Sequence, residues 1–149
     1  MITVEIETVI ERPIDEVFGC LVDISGYSTW MPGNGLFLES GGESDIPVRK
    51  GTTYYDKTRM GTFQGEIVEY RKPLKVVFLQ KLYWFGRVVM ISKPAYSLRE
   101  MNGKTRLYHL GQAEGNLGLM QLLQPLFKKI AYGERKRTVM SLKKKLETG

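Results

Sequence analysis

The chain has a single cysteine, Cys20, so an intrachain disulfide is excluded. It has a single histidine, His109, and no clustered carboxylates, so no recognisable metal-ligand set is present and no cofactor is expected. No apolar run approaches the roughly 20 residues of a membrane-spanning helix. The opening Met1-Ile-Thr-Val-Glu-Ile-Glu lacks the basic and apolar stretches of a signal peptide, and a cytoplasmic location is expected. Ser92, Ser97 and Ser141 have no Gly-x-Ser-x-Gly context, which excludes a nucleophile elbow. Gly111 to Gly118 carries glycines but no Lys-Ser/Thr pair, which excludes a phosphate loop. No repeat, low-complexity tract or linker divides the chain, so residues 1–149 are expected to form one domain.

What is present is ordinary for a globular protein: 42% hydrophobic and 26% charged residues. The net charge of +6 is unevenly placed. Between Lys128 and Lys145 stand eight basic residues and one acid, Glu134, while the rest of the chain carries 14 basic and 15 acidic residues. Lys129, Lys136 and Lys143 recur every seven residues and should form one solvent-facing stripe. That stripe is either a solvated outer face or a weak contact for an anionic membrane. No zinc ligands, recognition helix or stacking motif points to nucleic acid.

Alternation of apolar and polar residues predicts a strand over Thr3–Ile10. Pro13 suits a helix start, with Asp15 and Glu16 favourable beside the N-terminal dipole. Short helices are predicted over Pro13–Val22 and Ile24–Met31. Strands follow over Gly33–Gly42, Gly51–Met60, Thr62–Tyr70, Leu74–Tyr83, Phe85–Leu98 (bent or bulged near Pro94) and Lys104–Glu114. Glu100-Met-Asn-Gly103 signals a tight hairpin.

A terminal helix is predicted over Leu117–Glu147. Met120, Leu123, Phe127, Ile130 and Ala131 share one face, and Val139, Leu142 and Leu146 share another about a quarter turn away. A kink or break is expected near Pro125, and a distortion at Gly133. One long helix and one long antiparallel sheet bury both apolar faces best if the sheet curves around the helix. Such an arrangement tends to enclose a cavity.

The run Val4-Glu-Ile-Glu-Thr-Val-Ile-Glu-Arg-Pro-Ile-Asp-Glu-Val-Phe18, with Trp30-Met-Pro32, resembles the opening of START-like (SRPBCC) proteins. Val48-Arg-Lys-Gly-Thr52, Glu66-Ile-Val-Glu-Tyr70 before Lys72-Pro73, Tyr96-Ser-Leu98 and Gly103-Lys-Thr105 extend the likeness in order along the chain. The nearest branch is the polyketide cyclase/dehydrase and lipid-transport group. The resemblance implies an α+β helix-grip fold. A curved seven-stranded antiparallel sheet would wrap a long C-terminal helix, with two short helices after the first strand. It also implies a hydrophobic ligand cavity between sheet and helix. It does not imply one activity, because the fold hosts carriers, receptors and enzymes.

The ligand-binding residues expected on the sheet are Tyr54, Phe63, Ile67, Phe78, Tyr96, Leu98, Leu107 and His109. Those expected on the helix are Met120, Leu123, Phe127 and Ala131. Rings with hydroxyl tips suit a flat or elongated apolar molecule with polar groups to orient. By strand parity with Leu107, His109 faces inward, as a structural histidine or as an acid, base or hydrogen-bond donor to a ligand. Glu134 and Arg135 flank the inner face of the helix, pairing with each other at a cavity mouth or holding a polar head. Cys20 reads as a core thiol, and Trp30 as a packing residue closing one end. The expected function is binding of a lipid- or polyketide-like molecule. Cyclase/dehydratase chemistry, or regulation of a partner protein or membrane surface, is the alternative. No catalytic residue is assigned, and both monomer and homodimer remain open.

Overall fold

The computed structural model describes residues 1–33, 35–116 and 118–149. The order is β1 (Ile2–Ile10), α1 (Ile14–Val22), a 3-10 helix (Ile24–Thr29), β2 (Phe37–Gly41), β3 (Thr53–Thr58) and β4 (Gly61–Arg71). It continues with β5 (Lys75–Trp84), β6 (Arg87–Met101), β7 (Lys104–Gly115), α2 (Gly118–Leu122) and α3 (Gln124–Thr148). The expected first residue of the terminal helix, Leu117, lies outside the described residues, as does Asn34 within the expected Gly33–Gly42 strand.

The seven strands form one antiparallel sheet in the order β1-β7-β6-β5-β4-β3-β2. β1 returns to pair with β7, so the first and last strands meet. The sheet curls into a half-barrel with α3 against β1, the α+β helix-grip arrangement.

Local chemistry accounts for each element. Ile2, Val4 and Ile6 are buried and Glu5 and Glu7 exposed, as alternation on a half-buried strand requires. Pro13 precedes the first helical residue, and its carbonyl accepts from the backbone N–H of Glu16 and Val17. Asn102 and Gly103 both have positive φ, the backbone of a two-residue hairpin turn. Pro94 stays in register with Gly111 of β7, while pairing with β5 lapses at Lys93 and Pro94, where a ladder donor is missing.

Three expectations need correction, and one is met. The second short helix is 3-10 rather than α-helical and stops at Thr29. Phe85 opens no strand: with φ of 53° it forms the β5–β6 turn with Gly86, and β6 starts at Arg87. The break expected near Pro125 is present. The break falls at Leu123, between α2 and α3, which puts Pro125 in the first turn of α3, where no N–H is needed. Gly133 then lies within an uninterrupted helix.

The larger core cluster lies toward one end of the half-barrel, and a smaller one of Phe63, Leu82 and Val89 lies at the other. In the larger cluster Phe18 and Leu21 of α1 pack with Ile10, Ile24, Ile67, Leu98 and Leu107, and Val139 and Leu142 of α3 close it. Trp30 is buried in this cluster, its ring 5.4 Å from that of Tyr27 in an edge-on arrangement. The last turns of α3 are clamped to the end of β1. Arg12 Nε donates to the Leu146 carbonyl at 2.7 Å, Lys143 Nζ donates to the Val9 carbonyl, and the Glu147 carboxylate accepts from the Glu11 N–H at 2.8 Å. Lys143 is therefore tied down, and the free basic stripe narrows to residues such as Lys129 and Lys136. The two apolar faces of the terminal helix divide the work. Val139 and Leu142 are core, whereas Phe127 and Ala131 overhang the opposite end of the half-barrel.

Candidate functional site

At that opposite end a recess of about 300 Å³ lies between the sheet and the first half of α3. Its walls come from the starts of β1, β4 and β6, the ends of β3 and β7, and α2 and α3. Of seven methionines in the chain, four line it: Met31, Met60, Met90 and Met120. Unbranched thioethers fill irregular spaces, so this wall is apolar and pliable. Ile2, Val4, Phe63, Phe127 and Ile130 add to the apolar lining.

The polar end is built around Arg135. Its Nε donates to His109 Nε2 at 2.9 Å, and its Nη2 donates to the Tyr96 hydroxyl at 2.7 Å. Because His109 Nε2 accepts, the proton sits on Nδ1, which donates to the Ala95 carbonyl at 3.0 Å. Burial, then the neighbouring Arg135 charge, holds the His109 pKa well below its ordinary value, so the ring is neutral. His109 stacks on Tyr96 with centroids 4.4 Å apart. Phe78 stands edge-on to both Tyr96 and Tyr54, and the Tyr54 hydroxyl accepts from Gln80 Nε2 at 2.9 Å.

Gln80 also reaches Asp56, whose carboxylate accepts from the Ser40 hydroxyl at 2.8 Å. Burial lifts the Asp56 pKa to about 6, outweighing the Ser40 hydrogen bond and the Arg135 charge, which lower it. Gly65, opposite Tyr54, leaves room for this ring, since a Cβ there would overlap it.

Phe63, Met120, Phe127 and Ala131 line the recess. Tyr96 and His109 lie behind Arg135 and hold it; Tyr54 and Phe78 form the next layer. Ile67, Leu98 and Leu107 belong to the larger core cluster at the other end, so these three do not converge on the recess. Leu123 does not either: the break before α3 turns it outward, 39% exposed. Glu134 and Arg135 do not pair with each other. Glu134 pairs with Arg137 and accepts from the Leu36 N–H. Burial pushes the Cys20 thiol up to about 11, so it is protonated at neutral pH. Among the described residues no three His, Cys, Asp or Glu side chains stand close enough to hold a metal ion.

Asp56 and Gln80 are the site residues that pattern reading missed, though a signal existed. Asp56 has the same strand parity as Tyr54 and Thr58, and Gln80 the same as Phe78 and Leu82, so both are polar residues at inward positions. A second hollow of about 440 Å³ crosses β3 to β5. Although larger, it is a groove lined by residues such as Gln64, Glu66 and Lys81, and it lacks the apolar walls of the recess.

Apolar side chains on α2, the first half of α3 and the β5–β6 turn are exposed beside the recess. Asn116 donates to the carbonyls of Val88 and Val89, which sets the start of α2 beside the β5–β6 turn. Leu119, Leu122, Leu126 and Ile130 from the helices and Phe85 from the turn are exposed. No acidic residue occurs from Gly115 to Gly133, while Lys128 and Lys129 do. Among the described residues no helix is long and apolar enough to cross a membrane.

No protein-family signature and no curated protein matches this sequence. Solved structures do match its fold. A START superfamily protein from Mycobacterium smegmatis superposes with a TM-score of 0.77 at 12% identity over 99% of each chain. Aha1 from Colwellia psychrerythraea, a dimer in solution, superposes at 0.68 with 14% identity, over 100% of this chain and 98% of its own. DynU16, a protein of the dynemicin biosynthetic locus, superposes at 0.68 with 18% identity, over 100% of this chain and 48% of its own. The chain has a START-like fold.

Proposed function

We propose that this protein binds a hydrophobic small molecule, lipid- or polyketide-like, in the recess between the sheet and α3. The observation that carries the reading is the wall of four methionines meeting one buried polar cluster. Small-molecule sites combine a mostly apolar lining with a few placed polar groups, at roughly 300–1,000 Å³. A carrier role is favoured over catalysis at His109, because both its ring nitrogens are engaged and its ring stays neutral. Native mass spectrometry of freshly purified protein is expected to reveal a retained mass that organic extraction removes. Protein that emerges at its bare mass, and takes up none of a panel of fatty acids and polyketides, would count against the reading.

One observation favours a reaction instead. Asp56, with a pKa near 6 at the polar end, is able to exchange protons around neutral pH. The cyclase/dehydratase alternative therefore rests on Asp56 rather than on His109. It would be supported by turnover of a polyketide-like substrate that Asp56→Asn abolishes while binding survives.

The exposed apolar side chains beside the recess, flanked by Lys128 and Lys129, fit an anionic lipid surface from which such a ligand would be drawn. Co-sedimentation with phosphatidylserine vesicles is expected. It should weaken with salt and in Leu122→Asp, and equal retention by both proteins would remove this proposal.

A further inference from the structure

We propose that the molecule held in the recess carries a carboxylate, seated on the free edge of Arg135. The inference rests on the reading of the recess as the ligand site. A guanidinium offers five N–H donors in one plane. His109 accepts from Nε and Tyr96 from Nη2, which occupies the side edge of the fork. The end edge, formed by Nη1 and the second Nη2 hydrogen, has no partner among the described residues. That edge matches the two oxygens of a carboxylate.

The charge points the same way. Both partners of Arg135 are neutral acceptors, and no carboxylate of the described residues lies within 4.0 Å of it. The acids at the recess are otherwise engaged: Glu134 with Arg137, Asp56 with Ser40 and Gln80. Arg135 is thus a cation fixed in orientation by two buried side chains with no carboxylate in ion-pair contact, the charge of Asp56 reaching it only from farther off, beside an apolar wall. A guest with a hydrocarbon body and one negative end satisfies both parts.

Titration calorimetry with dodecanoate below its micelle concentration and dodecanol below its solubility limit separates the possibilities. Wild-type protein is expected to bind dodecanoate at least about tenfold more tightly than dodecanol at neutral pH. In Arg135→Gln the dodecanoate affinity should fall by roughly that factor, with dodecanol changed less than about threefold. Equal affinity of the acid and the alcohol for wild-type protein overturns this inference while leaving the ligand reading intact. Binding of neither overturns both. The wild-type comparison needs no variant, so it decides the matter even if Arg135→Gln does not fold.

Discussion

His109→Leu is expected to lower folding stability by about 2–4 kcal/mol, read as a shift of the urea midpoint at unchanged slope. His109 has no exposed surface. Leucine removes the donor to the Ala95 carbonyl and the acceptor for Arg135, and both partners lose a buried hydrogen bond. The same variant should change the response to acid. In the wild type, an unfolded chain takes up a proton on His109 as pH falls through 6.5, while the folded chain, with its lowered pKa, does not. Wild-type stability therefore drops below pH 6.5 at up to about 1.4 kcal/mol per pH unit from this group. In His109→Leu that component is absent. A variant that unfolds at the wild-type midpoint, with the wild-type pH profile, would contradict the burial and bonding assigned to this ring.

Asp56→Asn should act in the opposite direction, stabilising the fold at neutral pH by about 2 kcal/mol. The sign follows from the raised pKa. The folded carboxyl titrates near 6 and the unfolded one near 3.8, so the folded state binds the proton more tightly. Stability from this group is greatest below about 3.8, declines as pH rises to about 6, and stays reduced above that. The full difference corresponds to about 3 kcal/mol, and contact with water in the recess lowers the expected gain. Asparagine keeps an acceptor for Ser40 and carries no charge to desolvate. Between about pH 4 and 6 the Asp56 and His109 contributions oppose each other, so the wild type should be nearly flat there. Asp56→Asn should then show the acid loss of His109 uncompensated. A thermal midpoint that falls on this substitution at pH 8 would refute the assignment.

Both residues show where sequence reading succeeds and where it stops. Alternation placed β1, and Asn102-Gly103 placed the last hairpin, because turn and pleat chemistry are local. The ordered motifs from Val4 to Thr105 anticipated the antiparallel helix-grip, since they fix which elements follow one another. Phe85 was misplaced because a bulky residue with positive φ is held by its surroundings and leaves no local signal. The site was read partially for a similar reason. Strand parity tells inside from outside, so it turns His109 and Tyr96 inward. Parity does not tell which end of the half-barrel holds the larger core, so Leu98 and Leu107 were grouped with Phe127. That distinction depends on α1 and the second half of α3 packing at one end, a tertiary fact. The methionines at 31, 60, 90 and 120 lie on four separate segments and meet only when the sheet curls.

Those methionines also supply the most direct test of the central claim. Methyl-labelled methionine gives one NMR resonance for each of the seven residues. On titration with dodecanoate, the signals of Met31, Met60, Met90 and Met120 are expected to move together and saturate at one equivalent. Those of Met101 and Met140, away from the recess, should stay in place. Shifts confined to Met101 or Met140, or no shift at saturating ligand, would show that the recess is not the binding site.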